Sequence, residues 1–187
     1  MMMDKYSYPI EGGKIKTRAL EAHIVDHCNL RCEGCCSLSP FLPESFTGPA
    51  DLAADLALVS QVLSPTFLKL VGGEPLLHPD LIECLVVAKQ SSVAPVLYVT
   101  TNGLLLPKMP DDFWRLIDGL TISLYPSPAL PQKTISLVLE RAEQFGVHLN
   151  WKRQDVFVQM DRTHPSDDAE LDASVFSVCW LRRRCHL

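Results

Sequence analysis

Short β-like runs recur at residues 20–26, 67–71, 96–101, 120–125 and 147–152. Amphipathic helical runs separate them at 52–63, 81–89, 111–117 and 135–145. This alternation constrains the fold more than any other feature. Strands joined by a helical crossover become parallel neighbours in one sheet, with the helices laid over it. Asp111 and Asp112 follow Pro110 and place carboxylates where a helix N-terminus attracts them. Gly146 stands where a helix ending at 145 calls for a left-handed residue.

The strands carry a second message. A parallel strand buried on both faces reads as continuous aliphatic sequence, and several of these do not. VLYVTTN puts Tyr98, Thr100 and Asn102 on one face, and LTISLY does the same with Thr121, Ser123 and Tyr125. VHLNWK alternates His148, Asn150 and Lys152 against Val147, Leu149 and Trp151. Side chains alternate across a strand, so each has an apolar face for helices and a polar face for a shared interior. A curved (β/α) barrel with a hydrophilic lumen meets this better than a flat sheet. Five units reach Lys152. The β-like run at 155–160 follows without a crossover helix, a regular sixth unit is not evident, and 161–172 reads as a loop.

Composition narrows the class. A chain of 187 residues with 47% hydrophobic content suits one buried domain, and no apolar run approaches the roughly 20 residues that span a bilayer. The N-terminus lacks the apolar core of a signal peptide, so no membrane partner and a cytoplasmic location are expected. A net charge of −5 gives no reason to expect nucleic acid, and Arg182, Arg183 and Arg184 read as a solvated tail. Seven cysteines are many for a reducing compartment, where they point to metal ligation or catalysis rather than disulfides. Cys84, in an apolar helical run, reads as core.

The remaining cysteines concentrate in CNLRCEGCC, residues 28–36, just beyond the first strand. Loops at the carboxyl ends of barrel strands are where such folds place their chemistry. A structural zinc site takes four ligands as two separated pairs, which this crowding does not offer, although zinc stays open as an alternative. The spacing C-x3-C-x2-C, as Cys28, Cys32 and Cys35, resembles the cluster motif of the radical S-adenosylmethionine enzymes. Gly72-Gly73-Glu74-Pro75, after the second strand, resembles that family's GGEP segment. TTNG (100–103) and SLYP (123–126) are softer matches at the third and fourth strand ends.

The resemblance covers residues 18 to about 153. It implies a partial (β/α)6-type, TIM-like barrel of the radical S-adenosylmethionine kind. It divides the chain into an N-terminal segment (1–17), that core (18–153) and a C-terminal extension (154–187). It implies that Cys28, Cys32 and Cys35 ligate a [4Fe–4S] cluster with one iron left open, since such clusters ordinarily take four thiolates. S-adenosylmethionine would chelate that iron and be cleaved reductively to a 5′-deoxyadenosyl radical that takes hydrogen from a substrate. Gly72, Gly73, Glu74 and Pro75 would seat the cofactor, the glycines by letting backbone approach it closely. Ser123, with Thr101 and Asn102 behind it, would contact its ribose or carboxylate. One departure is Gly34, where the family usually has an aromatic residue near the adenine. Cys36 is then a bystander, His27 a loop-stabilising residue and His23 a core or lumen histidine.

Substrate would be read in the lumen by Tyr125, His148, Asn150, Lys152 and Arg153. The two cations suit a phosphate or carboxylate, so a small polar metabolite such as a sugar or nucleotide derivative is expected. A reducing electron donor such as flavodoxin or ferredoxin would be a partner. Cys179 and Cys185 resemble the opening of an auxiliary-cluster region in a chain cut short. A peptide-modifying maturase and a non-enzymatic iron–sulfur or zinc module are the alternatives.

Overall fold

The computed structural model describes residues 8–32, 35, 37–153, 167–178 and 185–186. Glu33, Gly34, Cys36, the 155–160 run, Cys179 and Arg182 to Arg184 lie outside the described residues. The elements run β1 (Ile10–Glu11), β2 (Lys14–Val25), α1 (Pro49–Val59), β3 (Leu63–Gly72), α2 (Leu81–Ser91), β4 (Val96–Thr101), α3 (Asp111–Leu116), β5 (Gly119–Leu124), α4 (Gln132–Phe145), β6 (His148–Arg153), α5 (Ala169–Val178) and β7 (Cys185–His186). Strands β2 to β6 pair in parallel in sequence order, the arrangement that the alternation demands. Helices α1 to α4 pack on one another in turn. The result is the α/β architecture expected, a partial barrel of five βα-type units.

Register fixes which face each residue takes. Leu20, Ala22 and Ile24 of β2, Leu68 and Leu70 of β3, Leu97 and Val99 of β4, and Leu120 and Ile122 of β5 are buried in one core. Leu52, Leu56, Leu85, Phe113, Trp114 and Val138 from the helices complete it. Full burial of each Leu or Ile contributes about 1.5–3 kcal/mol, so this shared face dominates the stability. The opposite face is polar in layers. Glu21, Lys69, Tyr98, Gly119 and His148 stand side by side across five strands. Thr100, Thr121 and Asn150 form the next layer, and Ser123 and Lys152 the one above.

The layers are cross-linked. Lys69 pairs with Glu21 at 3.6 Å. The Tyr98 hydroxyl meets His148 Nδ1 at 2.9 Å, and its ring lies over Gly119, where no β-carbon would fit. Arg153 departs from expectation: it is paired with Leu124, one residue out of phase with Lys152, and so belongs to the helix-side face of the sheet. Strand alternation forbids both cations from entering the lumen.

The ends of elements differ from the sequence reading in ways that local chemistry explains. β2 begins at Lys14, earlier than expected, because β1 folds back on it through Gly12 and Gly13. Gly146 adopts φ 69° and closes α4, as expected. The expected loop at 161–172 instead contains the start of α5, where the Asp168 carboxylate accepts the Leu171 N–H at 3.0 Å as an N-cap does. β7 pairs in parallel with β2 at Leu20 and Glu21. Among the described residues, no helix is long and apolar enough to cross a membrane.

Candidate active site at the strand exits

The cysteine loop is an excursion pinned at both ends. On its way out, the chain beyond β2 meets the turn beyond β3: Gly73 N–H donates to the Val25 carbonyl at 2.7 Å and Glu74 N–H to the His27 carbonyl at 3.1 Å. On its way back, Thr47 N–H donates to the Ile24 carbonyl at 3.1 Å, and Asp26 N–H to the Ser45 carbonyl at 3.2 Å. Phe46 then sits edge-on between the His27 and His78 rings, 5.1 and 5.2 Å away. The His27 ring thus packs inside the loop, with its buried Nδ1 without a hydrogen-bond partner. Cys84 is core as read, fully buried with its thiol 3.7 Å from His78 Nε2, and burial pushes that thiol up to about 11.

The approach that the glycines allow is to the chain's own backbone. A β-carbon on Gly73 would collide with the His27 carbonyl, and one on Gly72 with the Val25 carbonyl. The two sequence motifs are therefore a single structural unit, stitched main chain to main chain.

Glu74 is tied into the same unit by its side chain. Its side chain is wholly buried. Oε1 accepts the Thr101 hydroxyl at 2.6 Å and the Leu76 N–H at 3.1 Å, while Oε2 accepts the Asn102 N–H at 2.8 Å. Burial raises its pKa, against which these three donors act. The carboxylate braces β4's exit. Thr101 is likewise buried and spent: its hydroxyl also accepts the Gly103 N–H at 3.0 Å. Pro75 is buried at the start of a single 3-10 turn.

Replacing Glu74 with alanine strands three buried donors. It should lower stability by about 3 kcal/mol or more in urea denaturation of the metal-free protein, with glutamine intermediate because its amide turns one acceptor into a donor. A loss under 1 kcal/mol for both would show that the bracing is not needed.

Asn102 stands where the loops meet. Its Nδ2 donates to Asn29 Oδ1 at 2.7 Å and lies 4.0 Å from Cys28 Sγ, and its Oδ1 accepts the Leu104 N–H at 3.0 Å. Cys28 Sγ also receives the Leu30 N–H at 3.4 Å. Cys28, Cys32 and Cys35 are half-buried free thiols. A turn joins two of them, Cys35 N–H donating to the Cys32 carbonyl at 3.3 Å.

Ser123 lies half-buried near the end of β5, and the Tyr125 hydroxyl beyond it lies within electrostatic reach of Cys32, Cys28 and Cys35. Tyr125, read from sequence as a substrate contact, is thus a neighbour of the cysteines. Its position two residues beyond Ser123 on the same face was a usable signal. Asn29 offered none.

The electrostatics of the thiols state what would fit them. Burial is the main cause raising Cys28, with the charges of Glu74, Cys32 and Cys35 adding to it and the Leu30 N–H opposing. Burial and the Cys35 charge raise Cys32, opposed by its own N–H and by Tyr125. Partial burial and the cost of placing negative charges side by side favour the neutral thiols of Cys28 and Cys32, and a cationic metal centre would reverse that penalty. Among the described residues no three His, Cys, Asp or Glu side chains gather as ligands of a single ion. The donor set here is thiols alone, with amide and hydroxyl donors around them, the surroundings that suit an iron–sulfur cluster.

Comparison with known proteins adds the following. No family model matches the chain. It is 31% identical over 143 residues to GTP 3′,8-cyclase of Trichodesmium erythraeum, covering 71% of this chain and 41% of the relative. It is 26% identical over 186 residues to GTP 3′,8-cyclase of Aquifex aeolicus, covering 94% of this chain and 55% of the relative. The chain thus spans about half the length of these curated relatives, or less. In fold it is similar to BtrN in complex with AdoMet and 2-DOIA, with a TM-score of 0.60 and 17% identity over 77% of this chain and 60% of that one. It is also similar to anSMEcpe with bound AdoMet, with a TM-score of 0.54 and 14% identity over 73% of this chain and 43% of that one.

Proposed function

Because the chain belongs to the radical S-adenosylmethionine superfamily, we propose that Cys28, Cys32 and Cys35 hold a [4Fe–4S] cluster with one iron open to S-adenosylmethionine. When bound, the pair supplies reductive cleavage of the sulfonium C–S bond and hydrogen abstraction from a substrate. The observation that carries this reading is the stitching of the cysteine loop to Gly73 and Glu74 and, through Asn29, to Asn102. Three strand exits meet around the loop that carries the half-buried thiols.

The chain's own residues divide the work. The main chain at 72–75 holds the cysteine loop in place and lines the cofactor's seat, while Glu74 and Thr101 act from beneath by fixing the turn that carries Asn102. Ser123 is the side chain best placed at a strand end for the cofactor's polar groups. The lumen below, lined by Thr100, Thr121, Asn150 and Lys152, reads a small polar substrate. Lys152 favours an anionic group on it, and the curated relatives' name directs the first trials to nucleotides. A low-potential donor such as a flavodoxin or ferredoxin would supply the electron.

The test is anaerobic reconstitution with iron and sulfide, followed by reduction in the presence of S-adenosylmethionine. Methionine and 5′-deoxyadenosine in equal amounts are expected, and neither should form with Cys32→Ser. Absence of both from a chain carrying a full cluster would refute the reading and leave a non-enzymatic iron–sulfur module.

A further inference from the structure

Asn102 is a buried amide whose own hydrogen bonds decide which way it faces. Glu74 Oε2 holds its main-chain N–H at 2.8 Å. Its Oδ1 accepts the Leu104 N–H at 3.0 Å, so the amide nitrogen is the end turned to the cysteine loop. One hydrogen on Nδ2 serves Asn29 Oδ1 at 2.7 Å. For the other, the acceptor in reach among the described residues is the Cys28 sulfur, 4.0 Å away and at the long end for such a contact. That sulfur also receives the Leu30 N–H at 3.4 Å. Two N–H groups, one from the loop itself and one from the exit of β4, thus face the same thiol.

We propose that Asn102 is a positioning residue for the cluster, one amide hydrogen holding Asn29 and the other donated to the Cys28 sulfur. A buried donor with a weak acceptor is costly, and it gains when that acceptor becomes a metal-bound thiolate. Hydrogen bonds to ligating sulfurs in turn draw electron density from the metal centre and stabilise its reduced form. Asn102 thereby raises the cluster's reduction potential without adding a fourth ligand, and the effect needs no substrate. It assigns Asn102 to the cluster rather than to the ribose or carboxylate of the cofactor. The inference rests on the cluster reading above.

The experiment measures the midpoint potential of the reconstituted full chain, read by electron paramagnetic resonance, for wild type, Asn102→Ser and Asn29→Ala. Serine at 102 keeps an oxygen that can accept the N–H two residues on and withdraws the donor from Asn29 and Cys28 alike. Alanine at 29 breaks the same bridge between the loops but leaves the donor to the sulfur in place. Asn102→Ser should hold wild-type iron and sulfide with an about tenfold smaller equilibrium constant for reduction, about 59 mV more negative for one electron. Asn29→Ala should not fall below wild type. A second readout needs no change at 102: with 15N in the asparagine side chains, the reduced cluster should show a weak hyperfine coupling that Asn29→Ala retains. Equal midpoints in wild type and Asn102→Ser overturn the inference alone, and absence of the coupling does so even where Asn102→Ser loses its cluster. An equal fall in Asn29→Ala, or loss of its cluster, makes Asn102 a brace for the loop and overturns it too. A wild-type chain that assembles no cluster removes the cluster reading, and the inference with it.

Discussion

Serine at any one of Cys28, Cys32 or Cys35 leaves a folded protein that holds roughly tenfold less iron after anaerobic reconstitution than wild type. The loop does not need its thiols to take its shape. Main-chain bonds from Gly73, Glu74 and Thr47 pin it, and Phe46 is wedged between two histidines. Exposed or half-exposed substitutions away from such features move stability by about 0.5 kcal/mol, so urea midpoints of the metal-free variants should match wild type. What the serines remove is the soft anionic donor that a cluster iron requires. Cys84→Ser is the opposite control: it puts a hydroxyl into the core, losing about 1–3 kcal/mol of stability while iron uptake stays at the wild-type level. Iron retained by all three serine variants would mean that the metal is bound elsewhere.

Gly73→Ala produces a large loss of the fold itself. The added methyl group is driven into the His27 carbonyl, and its other near neighbours are also backbone, at His27 and Asp26. No side-chain rotation relieves that contact. The turn after β3 and the exit of β2 must separate, breaking the bonds from Gly73 to Val25 and from Glu74 to His27. Overpacking costs about 1–3 kcal/mol when side chains can yield, and more when they cannot, so a loss of about 3 kcal/mol or more is expected in urea denaturation. Gly146→Ala, strained at φ 69° but with nothing within 4 Å of the new carbon, should lose only about 1–2 kcal/mol. Iron uptake should fall with Gly73→Ala and stay unchanged with Gly146→Ala. Equal, small losses for the two variants would show that the close approach is dispensable.

The strand faces could be read from the sequence because a parallel sheet covered by helices on one side imposes a period of two. Tyr98, Thr100, Thr121, His148 and Asn150 obeyed it. The reading failed where that period loses its authority. Arg153 is the last residue of β6, and charge suggested a lumen role that strand phase forbids. Thr101 and Asn102 are adjacent, yet one is spent in the core and the other reaches the cysteine loop. Strand phase separates them, since it sets Asn102 with Tyr98 and Thr100 and leaves Thr101 on the core face.

Glu74 was legible as important but not as inward-facing. A buried carboxylate is tolerable only with donors supplied by distant segments, and its donors at Thr101 and Asn102 are 27 and 28 residues away. The glycines could be read as a close approach, but the object approached was the loop carrying the other motif. The start of α5 was written in Asp168 preceding AEL, a capping signal outweighed by the polarity of its surroundings.

The central claim is an iron that the chain leaves without a ligand. The direct measurement is electron–nuclear double resonance on the reduced cluster, with S-adenosylmethionine carrying 15N in its amino group and 17O in its carboxylate. Hyperfine coupling from both labels to one iron, present in wild type and absent when unlabelled cofactor is substituted, is the predicted result. A full cluster that shows no coupling, or whose fourth iron already carries a protein thiolate such as Cys36, would contradict it.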